Sequence, residues 1–142
     1  MRLAELLLEL GNSSYSYDIS YSDSRHMQID AADGRLVVNL MVDNNNELTI
    51  DFAVNGKYSV TGTGDAIRIF STVKHILETE LYKMITPKIH TVGFAADKSE
   101  PSRVRLYNRI IPVITKILGH QWINVDDNND DNSLYFYTWK RK

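Results

Sequence analysis

The sequence predicts a mixed α+β fold: a mostly antiparallel sheet flanked by helices on both faces, in one domain spanning residues 1–142. Three observations lead there. Period-two alternation of apolar residues dominates 15–61, the mark of strands with one buried face. The period then changes to three and four from Ala66 onward, the mark of an amphipathic helix. A short apolar run after that helix is followed by a second helical pattern, so two strands are joined by a crossover and lie parallel.

The elements follow in order. Leu3, Leu6, Leu7 and Leu10 share one face of a helix over 1–11 that stops at Gly11, and Glu5 and Glu9 interrupt what would otherwise resemble a signal peptide. Tyr15 to Tyr21 alternates aromatics with small polar residues, as an edge or half-exposed strand does, and its exposed aromatics hint at pairing with another surface. Met27 and Ile29 lead to the turn pair Asp33-Gly34. The segment from Leu36 to Val42 is the next strand, and Asp43 to Asn46 the next turn. Leu48, Ile50, Phe52 and Val54 alternate most cleanly, and Asn55-Gly56 returns the chain through Lys57 to Val60.

Ala66, Ile69, Phe70, Val73, Ile76, Leu77, Leu81 and Met84 then form a helical stripe of about five turns. Ile89 to Ala95 is a buried strand. Val104, Tyr107, Ile110, Ile111, Ile114, Ile117 and Leu118 make the second stripe, with Pro101 near its first turn and Gly119 as its stop. Pro112 lies inside that pattern, so a kink or two abutting helices is expected there. Residues 121–125 and 134–139 close the chain as a hairpin across the acidic loop 126–132, and the helix-strand-helix-strand unit covers 65–125.

Composition narrows the chemistry. The 142 residues contain no cysteine, which excludes disulfides, thiolate metal sites and cysteine nucleophiles. A net charge of −2 gives no general attraction to nucleic acid or anionic membrane, and no apolar run is long enough to span a bilayer. With no targeting signal in the pattern, the expected location is the cytoplasm. His26, His75, His90 and His120 are scattered without metal-ligand spacing. The run Asp126 to Asn132 has oxygen ligands but lacks the glycine and glutamate of a calcium loop, so no metal is expected.

The segment Ser59-Val60-Thr61-Gly62-Thr63-Gly64-Asp65-Ala66-Ile67 joins a strand to a helix. Its glycines permit tight backbone and close approach, and the helix start offers free amides and a positive dipole end to an anion. A strand-to-helix turn that merely needs glycine is the plain alternative. This loop resembles the pyrophosphate loop of the GNAT family of N-acetyltransferases, Gln or Arg, two residues, Gly, one residue, then Gly or Ala. Ser59 stands at the first position and Ile67 at the following aliphatic one. Ser102-Arg103-Val104-Arg105-Leu106-Tyr107-Asn108-Arg109 is similar to that family's next helix. The combination also looks like uncharacterised acetyltransferase-like proteins of bacteriophage genomes.

The resemblance implies acetyl-CoA as cofactor, held at Thr61, Gly62, Thr63, Gly64, Asp65 and Ala66, with Arg68 offsetting the charge of Asp65. It implies Tyr107 as the acid for the departing thiolate, although Tyr107 also lies on the apolar face as a core tyrosine would. Asp51 and Glu47 are candidate bases on the neighbouring strand. Only Ser22 to Arg25 separate the first two strands, where the family inserts helices that wall off the acceptor. That wall is therefore absent or supplied by the N-terminal helix. Arg103, Arg105 and Arg109, with Lys140-Arg141-Lys142, form the one basic concentration, read as a phosphate clamp or as a solvated face.

Two functions follow. One is an acetyl-CoA-dependent N-acyltransferase acting on an unidentified amine or protein acceptor. The other is a catalytically inactive protein of the same fold, acting by binding a protein partner, by self-association or in a virion. Nucleic-acid binding through the Tyr/Arg surface is the least supported reading.

Overall fold

A computed structural model of the chain describes residues 14–54, 64–97, 101–125 and 134–142; for 64–66, 95–97, 101–107 and 134–137 it describes the backbone course alone. Residues 1–13, with the leucine stripe, lie outside it. So do Asn55-Gly56, Lys57 to Thr63 and the acidic loop 126–132.

Alternation of apolar and polar side chains builds the centre of the sheet. Strand β2 (His26–Ala31) buries Met27, Ile29 and Ala31; β3 (Leu36–Val42) buries Leu36, Val38 and Leu40; β4 (Glu47–Val54) buries Leu48, Ile50 and Phe52. Register aligns these side chains on one face, since Ile29 opposes Val38 and Val38 opposes Phe52. Ahead of them runs β1 (Tyr17–Ser22), antiparallel to β2, with a register shift between Ile19 and Tyr21. Helix α1 (Gly64–Met84) follows β4 and leads to β5 (Thr91–Asp97); helix α2 (Pro101–Leu118) then leads to β6 (Trp122–Val125) and β7 (Leu134–Arg141).

The seven described strands are ordered β1-β2-β3-β4-β5-β7-β6, and among them only β4 and β5 are parallel. The expected crossover is therefore present, and the last hairpin inserts its second strand, β7, beside β5. Val92, Phe94 and Trp139 continue the buried face across these strands. The apolar stripe of α1 (Ile69, Val73, Ile76, Leu77, Leu81, Met84) and Ile110 and Ile114 of α2 complete one core. Both described helices pack on that same face of the sheet. The other face carries His26, Gln28, Asp30, Asn39, Glu47, Thr49 and Asp51, exposed or half-buried.

Threonine hydroxyls tie each helix to the sheet in the same way. Thr72 Oγ1 accepts from the Tyr15 N–H at 2.8 Å and donates to the Arg68 carbonyl. Thr115 Oγ1 accepts from Trp139 Nε1 at 3.0 Å and donates to the Ile111 carbonyl. Helix α2 continues through Pro112 as one helix, not two. Pro112 is exposed and lies with Val113 and Lys116 at the groove facing Lys74, Glu78 and Tyr82 of α1, outside the apolar core. Gly119 ends the helix at φ +80°, its N–H donating to the Thr115 carbonyl.

Two sequence expectations are revised. Tyr15 and Tyr17 are half-buried against α1, so of the β1 aromatics only Tyr21 is exposed. Arg141 is not part of a free basic tail. Its guanidinium lies over the Trp122 ring at 4.6 Å and donates to the Ile89 carbonyl, fastening the α1–β5 connection to the C-terminal hairpin.

Candidate functional site

The site is set by where the one parallel pair ends. β4 and β5 share three aligned pairs, Glu47–Thr91 to Thr49–Gly93. Beyond them, β4 stays aligned with β3 up to Val54, and β5 with β7 up to Asp97. The strands thus open toward their carboxyl ends, the end from which each chain segment turns into α1 and α2. Crevices at the carboxyl ends of parallel strands are the habitual ligand positions of sheets with crossovers, and the amino ends of two helices add positive potential.

Asp51 is the first residue of β4 past the last shared pair that points to the sheet face opposite the helices, and it is exposed. Asn39 of β3 is aligned with it. Asn39 Oδ1 accepts from His26 Nε2 at 2.7 Å, so this ring nitrogen carries the proton. Glu47 lies on the same face at the start of the shared pairs. The geometry therefore separates the two carboxylates that the sequence left equal: Asp51 stands at the opening and Glu47 at its closed end.

Of the anticipated anion-binding residues, Thr61, Gly62 and Thr63 lie outside the described residues. Gly64 is the first residue of α1, and Asp65 and Ala66 stand in its first turn with side chains outside the description. Arg68, one turn on, lies with Cζ 3.8 Å from the centre of the Tyr15 ring. Arg35 stacks on the same ring at 5.4 Å and donates to the Tyr15 hydroxyl at 3.0 Å. Tyr107 falls in the second turn of α2, its side chain outside the description, as are those of Arg103 and Arg105; Arg109 is exposed.

The histidines are occupied singly. His75 packs edge-on against Tyr17, and His90 bonds to the Asn45 carbonyl and the Thr91 hydroxyl. Among the described residues no cluster of three or more metal-ligating side chains occurs.

One buried carboxylate escaped the sequence reading. Glu80, 3% exposed, accepts from Lys83 Nζ at 2.8 Å and from the Tyr17 hydroxyl at 3.3 Å. Burial, with the Glu80 charge beside it, raises the Tyr17 hydroxyl above its ordinary value, despite an opposing hydrogen bond to Thr79. The hydrogen bond to Glu80 raises the Lys83 ammonium. The signal was available: Glu80 sits four residues after Ile76 and three after Leu77, inside the apolar stripe. At the β1–β2 turn, Asp23 accepts from the Tyr21 hydroxyl and from the Arg25 and His26 amides, which lowers its carboxyl and raises the Tyr21 hydroxyl.

No protein-family model matches the chain, and no curated protein sequence matches it. Solved structures do resemble it in shape. An acetyltransferase from Bacillus subtilis in complex with CoA superposes with a TM-score of 0.50 at 10% identity, covering 91% of this chain and 100% of that one. An acetyltransferase of the GNAT family from Streptococcus pneumoniae gives 0.49 at 12% identity, over 85% of this chain and 70% of its own. The ribosomal-protein-S5-alanine acetyltransferase from Vibrio fischeri gives 0.44 at 7% identity, over 97% and 68%. The mixed α+β sheet, opened between its one described parallel pair, shares its fold with that Bacillus subtilis acetyltransferase.

Proposed function

We propose that the chain is an acyl-CoA-dependent N-acyltransferase, with acetyl-CoA as donor and an amine as acceptor. The observation that carries this reading is the opening between β4 and β5 beside the amino end of α1. A structure of similar fold in complex with CoA supports giving that opening such an occupant.

In this reading the amides of Thr61 to Ala66 receive the diphosphate, Gly62 and Gly64 admit it closely, and Arg68 adds positive charge one turn away. The thioester supplies an acyl carbon open to attack. Asp51 takes the proton that the acceptor nitrogen loses as its C–N bond forms, directly or through water. Tyr107 gives its proton to the sulfur as the C–S bond breaks, and recovers one from solvent.

A second reading, a catalytically silent binding or virion-associated protein, is favoured by a different observation. Only Asp23 to Arg25 join β1 to β2, and no described helix covers that face of the sheet. Calorimetric titration of acetyl-CoA against the wild type and Gly64→Val separates the two. The wild type is expected to bind and Gly64→Val to bind at least about tenfold more weakly, a loss of about 1.4 kcal/mol. Absence of binding by both rejects the donor. Tyr107→Phe should slow turnover at unchanged acetyl-CoA affinity; an unchanged rate removes Tyr107 from the reaction.

A further inference from the structure

Helices α1 and α2 leave a groove between their outer sides. Tyr82 of α1, 63% exposed, stands on one wall, and Val113 and Ile117 of α2, both half-buried, form the other. The groove measures about 520 Å³, within the range of sites that hold an occupant. Its rim is positive on balance, since Lys74 and Lys116 outnumber Glu78. Among the described residues nothing fills it.

The chain enters the described residues at Ser14, and it enters beside α1. The Tyr15 N–H donates to Thr72 Oγ1 at 2.8 Å, and the Arg68 guanidinium lies on the Tyr15 ring. Thr72 is two residues from Lys74, so the preceding segment starts from the helix that forms one wall of the groove. A helix about 10 Å across is crossed by about four extended residues. Gly11-Asn12-Ser13-Ser14 supplies such a polar connection, with a glycine where the leucine stripe ends.

The residues before Gly11 match the groove in length and character. As a helix they reach about 15 Å, against about 12 Å along α1 from Lys74 to Tyr82. Leu3, Leu6, Leu7 and Leu10 line one side of that helix. A helix so short is not stable by itself in water, and its apolar side needs a packing partner. Its charge suits the rim as well, because Glu5 and Glu9 outnumber Arg2.

We propose that residues 1–11 form a helix that lies in the groove between α1 and α2, its leucines against Tyr82, Val113 and Ile117. The segment then joins the helical layer and does not wall off the polar face of the sheet. Of the two expectations for the acceptor wall, absent or supplied by this helix, docking here leaves the first. The docking rests on no part of the acyl-transfer reading.

The chain has no cysteine, so introduced pairs report the contact without background. In full-length Leu7→Cys/Val113→Cys a short bismaleimide should join the two thiols within one chain. It should do so at least about tenfold faster than in Leu7→Cys/Thr49→Cys, whose second thiol lies exposed on the polar face of the sheet. Equal rates, or faster joining to position 49, overturn the proposal. Joining between two chains, seen as a dimer on a denaturing gel, makes a second copy the occupant and overturns it too.

A second measurement reads the release of the segment. Val113→Cys should react with a maleimide at least about tenfold more slowly than the same variant carrying Leu3→Ser and Leu7→Ser. Emission from the buried Trp122 and Trp139 should be the same in both. Equal reactivity overturns the proposal. So does a rise that comes with loss of the buried-tryptophan signal, because a helix docked outside α1 and α2 is released without opening the core.

Discussion

The two faces of the sheet are made by alternate residues of the same strands, and they do different work. On one face Leu36, Val38, Leu40 and Ile50 are wholly or almost wholly buried beneath α1 and α2. On the other, one residue away at each step, stand Val37, Asn39, Met41 and Asp51, half-buried or exposed. The first face supplies cohesion through apolar area removed from water. The second is left free for polar groups that add little to stability, among them Asp51 just past the last shared β4–β5 pair. A sheet with a single hydrophobic layer can thus carry charge on its other side without endangering its core.

Neighbouring substitutions on β3 measure this contrast most strongly. Leu40→Ala should cost about 2–5 kcal/mol of unfolding free energy, because it removes a fully enclosed side chain. Asn39→Ala should cost about 0.5–1.5 kcal/mol, the bond to His26 being its main contact. Denaturant titration of both checks the difference, and equal losses would mean that the polar face is buried as deeply as the apolar one.

The contact between β1 and α1 gives a smaller effect. Glu80→Ala should cost about 1–3 kcal/mol, since it leaves the Tyr17 hydroxyl without its buried acceptor. The Tyr17 hydroxyl titrates above its unfolded value of 10.0, so its contribution is full below pH 10 and fades as pH rises through the folded value. Tyr17→Phe should flatten that alkaline loss in a stability-against-pH series.

Gly34→Ala comes next. Gly34 sits at φ +83° in the β2–β3 turn, and an added Cβ would meet nothing within 4 Å. The cost, about 1–2 kcal/mol, is therefore conformational and should leave the unfolding cooperative. The smallest effect is local. The Asp23 carboxyl is held below its unfolded value of 3.8, so it caps the β1–β2 turn above that pH and releases it as pH falls through the lowered value. Amide exchange at Arg25 and His26 should quicken there, and Asp23→Asn should remove the pH dependence.

Much of this architecture was legible because local periodicity is a direct image of burial. The alternation of Leu48, Ile50 and Phe52 marked β4, and the three-and-four spacing from Ile69 to Met84 marked α1. Asp33-Gly34 marked a turn and Gly119 a helix end, both of which appear with positive φ. Pro112 suggested a kink or two abutting helices, and the helix continues through it as one element, since periodicity alone does not show whether neighbouring turns hold the helix together. Tyr15 and Tyr17 read as exposed because alternation with polar residues does not reveal that a helix will pack beside them. For the site, Asp51 and Glu47 were equivalent in sequence, and only the end of the shared β4–β5 pairs told them apart.

Within the described residues, the sequence by itself determined the elements, their order and the need for one parallel crossover, since backbone propensities and apolar spacing act over a few residues. Tertiary structure alone decided three things. It inserted β7 between β5 and β6, opened β4 from β5 beyond Thr49 and Gly93, and set Asp18 against Asp30 on one exposed face. Each depends on register between strands distant in the chain. Register is chosen by the packing of whole faces, which no local pattern records.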